Sequence, residues 1–142
     1  METEKEWTER EEKKQYLKSY QKALRREDDI LEEIQQLRTE KMFPATHMEG
    51  LPVAAGPSDL SAYMAKIDGL IERLKEERLK RITLREKIEG DINRLKDEDE
   101  KAVLRYRYIQ GMKWEDVCER IGFSWKGVHN VHGRALNNFS IN

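Results

Sequence analysis

Two long stretches of the sequence carry apolar residues at helical spacing, and this periodicity limits the fold more than any other feature. In the stretch from about residue 8 to residue 42, the apolar positions recur at intervals of three, four and seven: Leu17, Tyr20, Leu24, Leu31 and Ile34. From 58 to 96 the same rhythm includes Leu60, Tyr63, Ile67, Leu70, Leu74, Leu84, Ile88, Ile92 and Leu95. Each stretch predicts a helix with one apolar seam. Because such a helix buries too little surface to be stable alone, each requires a partner.

The segment 43–57 separates the two stretches and contains all three prolines of the chain. Proline lacks a backbone donor and disfavours helix in the preceding residue, so neither helix is expected to continue through it. The segment is interpreted either as a connector that reverses the chain or as a contact loop for a partner. The two helices then form an antiparallel hairpin or the arms of a helical dimer.

Composition excludes several classes of protein. Charged residues make up 39% of the 142 positions and no stretch alternates as a strand does, so an all-α fold is expected. No apolar run approaches the roughly 20 residues that cross a bilayer. The single cysteine, Cys118, excludes an internal disulfide and is typical of a reducing compartment. We expect a cytoplasmic protein without a membrane partner.

The last segment, 97–142, has the pattern of a helix-turn-helix. Asp97 as N-cap with Glu100 three residues later predicts a capping box, and Gly111 a helix end. A short helix from Trp114 to Ile121, the turn Gly122–Ser124 and a third helix to about Phe139 follow. The predicted architecture is therefore a long antiparallel hairpin or coiled-coil arm at 1–96, for dimerisation or partner contact, before a three-helix DNA-binding domain at 97–142.

The third helix of this pattern carries the candidate DNA contacts. Ser124 is predicted to cap it, which leaves an outward N-terminal half with Trp125, Lys126, His129 and Asn130. Residues 124–142 contain two basic side chains, Lys126 and Arg134, and no acidic one. An acid-free exposed face favours binding to the phosphate backbone over a purely structural third helix.

The run 100–136, EKAVLRYRYIQGMKWEDVCERIGFSWKGVHNVHGRAL, resembles region four of bacterial sigma factors. The whole chain is similar to small phage and prophage regulators of the RinA and ArpU type, in which a helical part and a Pro/Gly-rich loop precede the same module. This resemblance implies promoter binding at phage late genes in a bacterial host cell, with contact to host RNA polymerase. It places the base-reading positions at Trp125, Lys126, His129 and Asn130.

Side-chain chemistry assigns separate roles to these positions. Lys126 suits guanine acceptors, Asn130 suits adenine, and His129 can donate to a purine or a phosphate, while Trp125 suits a thymine methyl or the backbone. Arg134 and Lys113 are expected to hold phosphates. Trp114, which matches the sigma pattern, and Ser124 complete the predicted set. Gly127 and Gly133 inside the helix each cost about 1 kcal/mol relative to alanine.

No enzyme, cofactor or metal is expected. No phosphate-binding glycine loop and no nucleophile-and-base pair occurs, and His129 with His132 lacks a third metal ligand. The partners expected are double-stranded DNA, a second copy of the chain as a homodimer, and host polymerase. Two alternatives stay open: a small terminase subunit, which would form a ring of eight or more copies, and a polymerase-contact protein that does not read DNA sequence.

Overall fold

A computed structural model describes residues 3–42 and 57–142, and these contain helices but no strand. The chain forms α1 (Glu4–Met42), α2 (Pro57–Asn93), α3 (Glu98–Leu104), α4 (Trp114–Ile121) and α5 (Trp125–Asn138). A π-helical turn at Arg105–Ile109 continues α3. The predicted all-α fold is confirmed. Among the described residues, no helix has the length and apolarity to cross a membrane.

The start of α1 lies earlier than the predicted residue 8, because Thr3 and Glu6 form a capping box. The Thr3 hydroxyl accepts a hydrogen bond from the Glu6 backbone N–H, and the Glu6 carboxylate accepts one from the Thr3 N–H. The predicted box at Asp97 is only half formed. Asp97 caps α3 by accepting from Asp99 and Glu100, whereas the Glu100 carboxylate is buried and accepts from Asn138 instead.

The predicted loop 43–57 lies outside the described residues, apart from Pro57. That proline is the first residue of α2, so the helix begins one residue before the predicted stretch from 58. Proline suits the first helical position because its fixed φ is helical and its missing N–H would have had no partner there.

The described residues separate into two compact units. Unit 1 contains the described residues up to Ala23 together with Arg81–Asn142, and unit 2 contains those of Leu24–Lys80. The three C-terminal helices therefore share unit 1 with the first part of α1 and the last part of α2, which is a different division from the predicted one at residue 96. The predicted division of function at that position stays a prediction.

In unit 2, segments of α1 and α2 pack along one apolar seam. Its buried members are Ile30, Ile34, Ile67, Leu70 and Leu74. Near Glu77 the seam turns polar, and cross-helix ion pairs fill that place: Arg26 Nε lies 3.2 Å from Glu77 Oε2, and Arg78 Nε lies 2.6 Å from Glu27 Oε1. Each ion pair joins one particular residue of α1 to one particular residue of α2, so both pairs form in only one register. The polar break therefore specifies how the two segments align.

In unit 1, a buried polar group joins the base of the long helices to the chain's C-terminal residues. The Asp91 carboxylate accepts hydrogen bonds from the Tyr16 hydroxyl, Arg94 and Asn142. Hydrogen bonds from these donors hold the pKa of Asp91 below its usual value despite burial. Phe139, next to this group, is 1% exposed, and its ring lies 6.0 Å from that of Tyr16.

Candidate nucleic-acid interface

The turn between α4 and α5 has the geometry that the sequence predicts. Gly122 adopts φ +80°, and its backbone N–H donates to the Cys118 carbonyl, which ends α4. Two residues later, Ser124 Oγ accepts from the Gly127 N–H at 3.1 Å and caps α5. Glycine is required at the first of these positions, because a left-handed conformation is costly for a residue with a Cβ.

The helix-turn-helix is closed by a small core of β-branched residues. Val103 of α3, Val117 of α4, and Val128 and Val131 of α5 are buried against one another. Around them lie the partly buried Tyr106, Met112, Trp114, Cys118 and Ile121. This core fixes the face that α5 turns outward, because burial of its valines leaves the opposite side in solvent.

The outward face of α5 carries Lys126, Asn130 and Arg134, all exposed. They follow one another at intervals of four residues, which places them about 6 Å apart along one side of the helix. None of the three hydrogen-bonds or ion-pairs with another side chain in the described part of the chain. Their donors and acceptors are therefore available to a ligand.

The other predicted residues occupy different environments. Ser124 is exposed and acts as the α5 cap, and Lys113 is exposed at the N-cap position of α4. Trp125, the first residue of α5, is 54% exposed. Trp114 and His129 are each half-buried, so the structure gives them less access to a ligand than Lys126 or Asn130.

Trp114 and His129 belong to a stack of side chains that continues to Trp125. The Arg107 guanidinium lies 4.8 Å from the centre of the Trp114 ring, a cation–π distance. The Trp114 and His129 ring centres are 4.6 Å apart, as are those of His129 and Trp125. We call these four residues the aromatic stack. His129 Nε2 is buried without a hydrogen-bond partner among the described residues, an arrangement that costs about 1–3 kcal/mol in a protein interior.

His132 lies deeper than the aromatic stack. It is buried, with Nε2 at 2.8 Å from the Tyr108 hydroxyl and its ring 4.8 Å from that of Trp114. Burial, and then the nearby positive charge of Lys14, lower the pKa of His132 to about 4. Burial also raises the pKa of Tyr108 to about 12. His132 is thus a neutral core residue near pH 7, and it points away from the exposed face of α5.

The first part of α1 contributes contacts that sequence reasoning missed. Gln21 Nε2 donates to the carbonyls of Tyr108 and Ile109 at 3.2 and 3.0 Å, at the end of the π-helical turn. Lys13 Nζ donates to the Leu136 carbonyl at 2.8 Å, in the last turn of α5. Backbone carbonyls at the end of a helix lack hydrogen-bond partners within the helix, and these two side chains donate to them. No local sequence pattern indicates such contacts, because the partners are more than 80 residues apart.

A family model described as a protein of unknown function, DUF1492, matches residues 59–139, more than half of the chain. The chain belongs to this family. No curated protein and no solved structure matches it significantly. The matched segment runs from the first turn of α2 to the residue after α5, so it includes the exposed face of α5 and the whole aromatic stack. Lys13 and Gln21 lie outside it.

Proposed function

We propose that this member of the family is a sequence-specific DNA-binding protein that regulates transcription of phage or prophage genes. The observation that carries the proposal is the outward face of α5, where Lys126, Asn130 and Arg134 are exposed and not paired with the protein. This face begins at a capped helix N-terminus directly after a tight glycine turn. A helix presented in this way fits the major groove of B-DNA.

The side chains on the face suit different parts of a duplex. The carboxamide of Asn130 matches the paired acceptor and donor of adenine, and the ammonium group of Lys126 matches the acceptors of guanine. Arg134, near the other end of α5, is assigned to the phosphate backbone together with Lys113. No acidic residue follows Ser124, so no carboxylate of α5 opposes the approach of phosphates.

The regulatory part of the proposal rests on the resemblance to phage late-gene regulators and sigma region four. A homodimer would present two recognition helices to half-sites about one DNA turn or more apart. Contact with host RNA polymerase would connect binding to transcription. Both features belong to the proposal, and each has a direct readout: subunit stoichiometry in solution, and co-purification with polymerase from the bacterial host.

Selection of bound fragments from a random DNA pool, with the purified full chain at physiological salt, tests the function. One enriched motif is expected, and its enrichment should be lost in Asn130→Ala. Lys80→Ala, which removes an exposed lysine of unit 2, is the matched control and should select the same motif as the unaltered chain. Absence of any enrichment would overturn the proposal. Rings of eight or more copies would instead indicate a packaging protein.

The two assigned classes of contact are separated by their dependence on base sequence and salt. Asn130→Ala should reduce discrimination between the selected motif and other sequences, whereas Arg134→Ala should weaken binding to all sequences alike. Each phosphate contact contributes about −0.9 to the slope of log affinity against log salt, so Arg134→Ala should also flatten that slope. Equal loss of discrimination in the two variants would contradict the roles given to them.

A further inference from the structure

Trp125 combines two properties: the residue is 54% exposed, and its ring packs on one side against another ring. It lies at the first position of α5, one residue before Lys126, with its ring centre 4.6 Å from that of His129. Phe123, on the other side of Ser124, is also exposed, at 38%, but takes part in none of the ring contacts of the aromatic stack.

The support of Trp125 continues through the protein. His129 is in contact with Trp114, and Trp114 lies beneath the Arg107 guanidinium on the side of α3. His129 keeps its position although Nε2 is buried without a partner in the described structure. The indole of Trp125 has only two side-chain torsions and packs against the aromatic stack. It therefore loses little conformational freedom when a ligand binds and is preorganised for contact.

The chemistry of the major groove restricts what such an indole contacts. Lys126 and Asn130 suit the polar edges of bases, whereas Trp125 presents mainly carbon to the same ligand. The thymine methyl is the apolar group that an A·T pair exposes in the major groove. We infer that Trp125 is a specificity-determining residue that recognises a thymine methyl, and that His129 is a positioning residue for it. This inference rests on the proposed function and specifies the chemical group of the DNA that Trp125 recognises.

Replacement of thymine by deoxyuridine, which removes only the methyl, tests this contact directly. The selected operator duplex is synthesised with deoxyuridine at one thymine position at a time, and affinity is measured at constant salt. For the unaltered chain, one position is expected to weaken binding about fourfold, the effect of burying one methyl-sized apolar group. In Trp125→Ala, thymine and deoxyuridine at that position should bind equally.

Two further variants separate the roles of the aromatic residues. Phe123→Ala removes the neighbouring exposed ring and should keep the fourfold preference for thymine. His129→Ala should reduce that preference while keeping the dependence on Asn130, because it frees the indole without altering the outward face. Circular dichroism and the unfolding midpoint of each variant establish that it is folded.

The outcomes distinguish this inference from the function on which it rests. If no operator can be selected, the proposed function fails and the inference fails with it. If an operator is selected but deoxyuridine is tolerated at every position, the function stands and the inference is overturned. The same holds if the unaltered chain and Trp125→Ala lose equal affinity on substitution, because the methyl would then act through DNA shape. A sequence-independent loss in Trp125→Ala would place the indole against the sugar-phosphate backbone.

Discussion

Unit 1 and unit 2 use the same two long helices but are stabilised in different ways. In unit 2, two helical segments share one seam of apolar side chains, flanked by cross-helix ion pairs. Unit 1 adds side chains that reach backbone carbonyls of distant segments, such as Gln21 at the π-helical turn and Lys13 at the end of α5. It also buries the polar residues Asp91, Glu100 and His132, whereas Glu27 is the buried polar residue of unit 2 among the described residues.

This difference teaches how one helix serves two purposes. An apolar seam tolerates changes of similar size, since its stabilisation is shared among many non-directional contacts. A side chain that caps a distant carbonyl is tied to one partner and one geometry. The first part of α1 therefore fixes the positions of the π-helical turn and of α5 in unit 1. The second part of α1 stabilises unit 2 through apolar packing along the seam.

The largest expected effect comes from the core of unit 1. Phe139→Ala removes a ring that is 1% exposed and should lower the free energy of unfolding by about 3–5 kcal/mol. Leu74→Ala, in the thinner seam of unit 2, should cost about 2–3 kcal/mol because its site lies closer to solvent. Urea unfolding of both variants measures the two values. Equal losses of unfolding free energy in the two variants would contradict the proposed difference between the units.

The next effect is a dependence of stability on pH. Because the pKa of His132 is lowered to about 4 in the folded chain, its contribution is fully present above the ordinary histidine pKa of about 6.5 and is lost as the pH falls toward 4. A loss on the order of 2–3 kcal/mol is expected over that range.

His132→Gln supplies the control for this pH dependence. Glutamine offers Tyr108 a hydrogen-bond partner but does not titrate, so the variant should lose less stability between pH 7 and pH 4 than the unaltered chain. Titrating carboxylates such as Asp91 contribute equally to both chains and cancel in the difference. Identical pH profiles would show that burial of His132 is not what sets the acid sensitivity of unit 1.

A smaller effect tests the cap that Gln21 provides. Gly111 and Gly122 both have positive φ, so alanine at either should cost about 1 kcal/mol from backbone strain. A Cβ at Gly111 would also lie 3.0 Å from Gln21 Oε1, whereas one at Gly122 meets nothing within 4 Å.

Thermal unfolding of the two glycine variants gives the comparison. Gly111→Ala should destabilise the chain more than Gly122→Ala, and the excess should disappear when Gln21→Ala is added to both. If Gly111→Ala is still more destabilising than Gly122→Ala without the Gln21 side chain, the close contact with Gln21 is not the cause of the difference.

The smallest effect concerns the ion pairs of unit 2. A double-mutant cycle on Arg78 and Glu27 should give a coupling of about 1 kcal/mol, because Glu27 is buried while Arg78 is half exposed and partly screened by solvent. The exposed pair Lys75 and Glu72 is the matched control, with coupling near zero. Equal couplings would mean that burial of Glu27 does not strengthen its pair.

Local patterns predicted a large part of this fold because they act over a few residues. The bounds of α4, the end of α4 at Gly122 and the cap at Ser124 depend on neighbouring residues, and they were predicted correctly. The seam residues Ile34, Ile67, Leu70 and Leu74 followed from spacing, whereas Ile30 takes the buried place next to the predicted Leu31, which is only partly buried. The capping box at Thr3 and Glu6 was equally local and was missed among the surrounding charges.

The candidate site was only partly predictable. Lys126, Asn130 and Arg134 share an exposed face because their four-residue spacing and the buried valines on the other side dictate it. The same spacing rule placed His129 outward, but its position on the helix borders the core, where Trp114 and Trp125 enclose it. Rings from three separate positions meet there, and periodicity along one helix contains no information about them.

The sequence alone thus determined the helices, the bounds of α4 and the residues on one face of α5, since hydrogen bonding and amphipathicity within a helix involve residues at most a few positions apart. The tertiary structure decided which side chains meet across the chain: Gln21 with the carbonyls of Tyr108 and Ile109, Glu100 with Asn138, and the aromatic stack. These contacts depend on how separate helices pack within unit 1. Their directional geometry is fixed only once the core has closed around them.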